Sequence, residues 1–87
     1  MNKWCVYIVR CADDTLYTGI TNSLDKRLQA HNAGLGAKYT KSRRPVALVY
    51  METAADRSAA SKREYVIKRL SRAEKMVLIE GASLSTE

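Results

Sequence analysis

The chain has 87 residues, enough for one domain and too few for two. Apolar residues make up 46% of it, a fraction compatible with a packed core. No apolar run approaches the roughly 18 residues that span a bilayer, so no membrane association is expected. The net charge of +6 is concentrated: residues 26–51 hold Lys26, Arg27, Lys38, Lys41, Arg43 and Arg44 and no Asp or Glu, whereas the remaining basic and acidic residues cancel.

Segregated charge focuses a field, so either a solvated basic face or a polyanion partner fits this stretch, and nucleic acid is the expectation. A membrane surface fits less well, because the stretch is not a clear amphipathic helix. Lys26, Lys38, Lys41, Arg43 and Arg44 are the candidate phosphate contacts. Cys5 and Cys11 are the two cysteines. On one extended segment, six residues place them about 20 Å apart, too far for a disulfide, whose Cα atoms lie within about 7 Å. Both are read as small core residues of a protein in the reducing cytoplasm, since patterned sequence begins at once after Met1-Asn2 with no secretory pattern.

Lys3 to Cys11 reads as a strand covered on both faces, since both alternating sets are apolar. Ala12-Asp13-Asp14-Thr15 is a turn and Leu16 to Ile20 a second strand, which makes a hairpin. Thr21-Asn22-Ser23 offers an N-cap, and a helix follows to about Ala33, ended by Gly34. The basic segment from Gly34 to Pro45 is loop-like, with one helical turn around Ala37 to Thr40. Val46 to Thr53 is a third strand. Asp56 caps a helix running to Leu70. Ser71-Arg72-Ala73-Glu74 is a capping box that opens a last helix, expected to stop at Gly81. The expected fold is α+β, a three-stranded, mainly antiparallel sheet flanked by helices in the order β-β-α-β-α-α. Residues 1–81 form the domain and residues 82–87 a disordered tail.

Arg27 and His31 are four residues apart and share a helix face beside Leu24 and Leu28. They are expected at the rim of the core, where an arginine fork can grip a phosphate. On the second long helix Ala60, Glu64, Ile67 and Ser71 fall on one face, with Val66 and Leu70 nearby. An inward carboxylate persists if it is paired, here with Lys68 four residues on, or if it holds a hard cation such as Mg²⁺. Tyr7 and Tyr17 both lie on the hairpin. An odd-length loop such as Asp13 to Thr15 would set Tyr17 opposite Cys11 and on the face of Tyr7; an even loop would separate the two rings.

Cys5-Val6-Tyr7, followed ten residues later by Tyr17-Thr18-Gly19, resembles the paired motifs of the GIY-YIG nuclease superfamily. The match continues through Arg27, His31 and Glu64, and it is nearest the small stand-alone bacterial members in Gly36-Ala37-Lys38-Tyr39-Thr40 and in Ile67 to Glu74. Cys5 stands for the first glycine and Thr18 for the middle isoleucine of the second motif. The resemblance implies a metal-dependent endonuclease acting on nucleic acid, DNA before RNA, in repair or recombination. Tyr17 would be the general base, Tyr7 would orient the nucleophile or phosphate, and Arg27 would stabilise the scissile phosphate. His31 would bind phosphate or shuttle a proton, and Glu64 would hold one Mg²⁺ or Mn²⁺. Gly19 would let the nucleic-acid backbone approach, and Tyr39 would join the nucleic-acid contacts. A free tyrosine, near pKa 10, is a poor base, so the general base needs positive charge beside it. Two rivals remain open, a non-catalytic nucleic-acid-binding module and an accessory protein docked on a repair complex. The chain is expected to be a monomer or weak oligomer, with room for a protein partner.

Overall fold

A run of β-branched and aromatic residues with no polar alternation has to be buried on both sides, and Trp4–Arg10 (β1) is the central strand of the sheet. Cys5 to Val9 are all buried. In this computed structural model, which describes residues 3–84, β1 pairs antiparallel with Leu16–Thr21 (β2) on one side and antiparallel with Ala47–Ala54 (β3) on the other. The sheet order is β2-β1-β3, and every pairing is antiparallel. Between the strands stand Leu24–Asn32 (α1) and the single turn Lys38–Lys41 (α2), and after β3 come Arg57–Lys68 (α3) and Arg72–Leu84 (α4). Among the described residues no helix is long and apolar enough to cross a membrane.

The hairpin loop is odd. Cys11 N–H donates to the Thr15 carbonyl, leaving Ala12, Asp13 and Asp14 between them, and Asp14 takes a left-handed φ of 68°. A turn closed by one left-handed residue is the usual three-residue hairpin connection. Asp13 fastens it, its carboxylate accepting from the Thr15 N–H at 3.2 Å and the Thr15 hydroxyl at 2.6 Å. The resulting register sets Tyr17 opposite Val9, two residues from the expected partner Cys11, and Tyr7 opposite Gly19. Parity is preserved, so Tyr7 and Tyr17 share a face.

On β3 the register slips by one, because Val49 is an extra residue between Tyr50, the partner of Ile8, and Leu48, the partner of Val9. Val49 and Tyr50 both pack against the cluster under α3 and α4. That cluster is Val6, Ile8, Ala60, Ile67 and Ile79. The opposite face carries Tyr7, Val9, Cys11 and Val46, covered by Leu24 and Leu28 of α1 and by Tyr17. Cys5 and Cys11 are free and buried, and burial pushes the Cys5 thiol up.

Caps follow the sequence at most helix ends. Asp56 accepts from the Ala59 N–H at 2.8 Å. Ser71 and Glu74 form a reciprocal capping box, Glu74 N–H to the Ser71 hydroxyl and Ser71 N–H to the Glu74 carboxylate. At Gly34, φ is +82°, and its N–H reaches the His31 carbonyl while the Leu35 N–H reaches that of Ala30. This paired closure needs a left-handed residue after the helix, which glycine supplies without a Cβ clash.

Three expectations change. The Ser23 side chain makes no cap at α1; its N–H is instead held by the Thr21 hydroxyl at 3.1 Å. Gly81 does not stop α4, which continues to Leu84. A single glycine costs a helix only about 1 kcal/mol relative to alanine, so it stops one only where the chain also turns. Of the expected disordered tail, residues 85–87 lie outside the described residues. Finally, Val66 sits on an exposed side of α3 rather than beside the core.

Candidate active site

The shared face of Tyr7 and Tyr17 meets α1 at His31, and the three rings form a nest. The His31 ring centroid lies 5.9 Å from that of Tyr7 and 5.5 Å from that of Tyr17, both edge-on. The Tyr7 hydroxyl is 2.8 Å from His31 Nε2, and Arg27 Nε donates to the same hydroxyl at 3.4 Å. The other histidine nitrogen, Nδ1, is 2.7 Å from the Thr40 hydroxyl, which donates to the Ala37 carbonyl at 3.0 Å.

Depth divides these residues. Tyr7, His31 and Thr40 are fully buried, whereas Tyr17 and Arg27 are only partly covered. The expected rim position therefore holds for Arg27 and fails for His31. The reason is α2: Thr40 and Gly36 close over the imidazole, and a Cβ on Gly36 would collide with His31, lying 2.9 Å from its Cα. In this conformation His31 is covered from solvent and its Nε2 faces the equally buried Tyr7 hydroxyl.

Electrostatics follow from this layering. Burial and then the neighbouring Arg27 charge hold the His31 pKa below its ordinary value, so the ring is neutral at neutral pH. Burial raises the Tyr7 pKa, against the opposing pull of Arg27. The Tyr7 hydrogen bond keeps Arg27 charged more firmly than usual, despite partial burial.

Gly19 has a packing use inside the fold. A Cβ there would lie 2.6 Å from the Tyr7 hydroxyl oxygen, so the absent side chain makes room for the Tyr7 ring. Tyr39 stacks on Tyr17 at 5.8 Å and 22°, and the Arg43 guanidinium carbon lies 4.0 Å from the Tyr39 ring centroid. Tyr39 thus backs the Tyr17 ring.

Arg43 is tied inward as well, to the Asp13 carboxylate at 3.0 Å and the Tyr39 carbonyl at 2.7 Å. Arg44 donates to the Lys41 carbonyl at 2.9 Å and the Asn32 carbonyl at 3.3 Å. Both arginines fasten the basic segment before they contact anything else. Lys26, Lys38 and Lys41 are exposed. Lys41 and Arg44, with Asn32, Ser42 and Pro45, line an open depression of about 460 Å³.

Glu64 lies on α3 between Ala60 and Ile67, residues that pack with Val6 and Ile8, and its side chain is 23% exposed. Lys68 Nζ is 3.2 Å from its Oε2. The described residues hold no group of three or more His, Cys, Asp or Glu able to bind a metal. A lone carboxylate fits a hard cation whose shell is completed by water and phosphate, and it does not fit a structural zinc.

Thr40, Gly36 and Asp13 received no individual role from the sequence. Thr40 lies nine residues from the histidine it supports, and no helical or strand period joins the two.

Comparison with known proteins agrees with this geometry. The family model for the GIY-YIG catalytic domain matches residues 3–77. A UPF0213 protein of Desulfotalea psychrophila is 59% identical over 80 residues, covering 91% of this chain and 73% of that one. A UPF0213 protein of Staphylococcus haemolyticus is 55% identical, covering 92% of this chain and 98% of that one. The solution NMR structure of a UPF0213 protein from Bacillus halodurans aligns with a TM-score of 0.57 at 41% identity, over 92% of this chain and 84% of that one. A second NMR structure, from E. faecalis, aligns with a TM-score of 0.63 at 36% identity, over 97% of this chain and 88% of that one. The chain belongs to the GIY-YIG catalytic domain family.

Proposed function

We propose that the protein is a divalent-metal-dependent endonuclease that hydrolyses phosphodiester bonds in nucleic acid, with DNA as substrate, in repair or recombination. The observation that carries this reading is the partly covered Arg27, whose Nε donates to the Tyr7 hydroxyl at 3.4 Å above a buried tyrosine–histidine pair. Tyr17, partly exposed and on the same sheet face as the buried Tyr7, would take a proton from the attacking water. Arg27 uses Nε for Tyr7, which leaves its terminal nitrogens for a non-bridging phosphate oxygen. Tyr7 and neutral His31 hold that guanidinium in place from behind.

Glu64 would hold one Mg²⁺ or Mn²⁺. Such an ion supplies charge neutralisation at the phosphate and a lowered pKa for bound water. Lys26, Lys38 and Lys41 would attract the flanking phosphates, and two free buried thiols suit a reducing cytoplasm.

The test is Mg²⁺-dependent cleavage across duplex, flap, junction and single-stranded substrates, wild type beside Glu64→Gln. The Glu64–Lys68 pair is half-exposed on the lysine side, so its loss should move the melting temperature little. Cleavage should fall by more than the roughly 10–100-fold that losing an outer metal partner costs. A folded Glu64→Gln protein with full Mg²⁺-dependent activity would remove Glu64 and most of this mechanism.

A further inference from the structure

The row of hydrogen bonds behind Tyr7 has a direction, and one residue sets it. Thr40 is fully buried, its hydroxyl lying between the Ala37 carbonyl at 3.0 Å and His31 Nδ1 at 2.7 Å. A hydroxyl has one hydrogen, and a carbonyl only accepts. The Ala37 carbonyl accepts the Thr40 N–H at 3.1 Å and has a second lone pair for the Thr40 hydroxyl, and with the hydroxyl hydrogen placed there the contact to Nδ1 takes its hydrogen from the imidazole. A neutral imidazole carries one N–H. Nδ1 has it, so Nε2 is a lone pair, and the Tyr7 hydroxyl must donate to Nε2 across 2.8 Å. The Tyr7 oxygen is then left as an acceptor, which is what Arg27 Nε requires at 3.4 Å. Every hydrogen in the row points the same way, from Arg27 to Tyr7, from Tyr7 to His31, from His31 to Thr40 and from Thr40 to Ala37.

We propose that Thr40 is a positioning residue for the reaction: its hydroxyl fixes His31 in the Nδ1–H tautomer and so fixes the direction of the Tyr7 hydroxyl beneath Arg27. The inference rests on the nuclease reading for its effect on rate, but not for the tautomer itself. With the opposite tautomer, Nε2–H would donate to the Tyr7 oxygen and the Tyr7 hydrogen would have to turn elsewhere. It would then compete with the Arg27 donor for space, and the guanidinium would lose its fixed seat on the Tyr7 oxygen. A second-layer hydrogen bond that selects a histidine tautomer commonly decides what the ring's other nitrogen can do. The local chain is built for this contact. Thr40 sits on α2, a single turn whose entry at Gly36 tolerates no Cβ against His31.

The test combines a tautomer readout with kinetics on the full chain. Long-range ¹H–¹⁵N spectra of the wild type at pH 8 should show His31 with a protonated Nδ1 and an unprotonated Nε2. Thr40→Val keeps the shape and removes the hydroxyl, leaving a buried Nδ1–H without an acceptor, so the Nε2–H form should appear. With nucleic-acid substrate and Mg²⁺, kcat should fall about 10–100-fold, the range for losing such a partner, with KM near wild type. Thr40→Ser should restore both the tautomer and kcat. A wild-type spectrum showing Nε2–H overturns the inference without any variant having to fold. So does a Thr40→Val protein with wild-type kcat. Absence of cleavage by the wild type would count against the nuclease reading alone, and the tautomer spectra would still decide whether Thr40 sets the ring.

Discussion

The two faces of the sheet are built on different principles. Beneath α3 and α4 the cluster of Val6, Ile8, Ala60, Ile67 and Ile79 is apolar, and its side chains contribute by leaving water and filling space. Beneath α1 and α2 the buried volume is spent on Tyr7, His31 and Thr40, whose polar atoms are each matched to a partner. A buried polar group without a partner costs about 1–3 kcal/mol, so such a face is viable only when the row is complete. One face therefore holds the fold, and the other uses that stability to keep a polar constellation in place. Tyr7 belongs to the same strand as Ile8, so each face depends on the other through β1.

The contrast is sharpest when one residue is removed from each side. Ile67→Ala should lower stability by about 2–5 kcal/mol, read by urea denaturation, with cleavage per folded molecule unchanged. Arg27→Ala should do the reverse, reducing kcat about 10²–10³-fold while urea denaturation shows a much smaller change. Equal activity losses in the two variants, per folded molecule, would dissolve the division of labour.

Acid should find only one of the faces. His31 has its folded pKa held below the ordinary histidine value of 6.5, so the unfolded chain binds the proton first as pH falls. Its contribution is complete above about pH 6.5 and is lost as pH falls from there toward the folded pKa, at up to about 1.4 kcal/mol per pH unit. The stability difference between wild type and His31→Gln should therefore shrink between pH 7 and pH 5. A difference that stays constant over that range would mean that the buried ring takes up its proton as freely as an unfolded one.

The smallest effect tests a buried hydroxyl on the face beneath α3 and α4. Thr18, opposite Ile8, is 3% exposed, and its hydroxyl has no hydrogen-bond partner among the described residues. Thr18→Val should stabilise the protein by about 1 kcal/mol, since it removes an unpaired buried hydroxyl at constant shape. A loss of stability would show that the hydroxyl is paired in solution.

Much of this was legible in the chain. The apolar run from Trp4 to Val9 dictated a doubly covered strand, because such a segment has no face to offer water. Asp56, Ser71, Glu74 and Gly34 marked helix ends through local chemistry, which needs only near neighbours. The spacing of Arg27 and His31 put them on one face of α1, and the matched motifs brought Tyr7, Tyr17 and Glu64 into one list of candidates. Tertiary packing decided the rest. Register became fixed only when Asp14 closed a three-residue loop, which put Tyr17 opposite Val9 and on the face of Tyr7. Depth became fixed only when α2 folded over His31, turning an expected rim residue into a buried one and giving Thr40 its place. The charge on Arg43 and Arg44 was plain from composition, but their distant partners, the Asp13 carboxylate and the Asn32 carbonyl, were not. Periodicity records which residues share a face of one element. How far that face is covered, and by which distant hydroxyl, depends on the packing of a second element that the period does not encode.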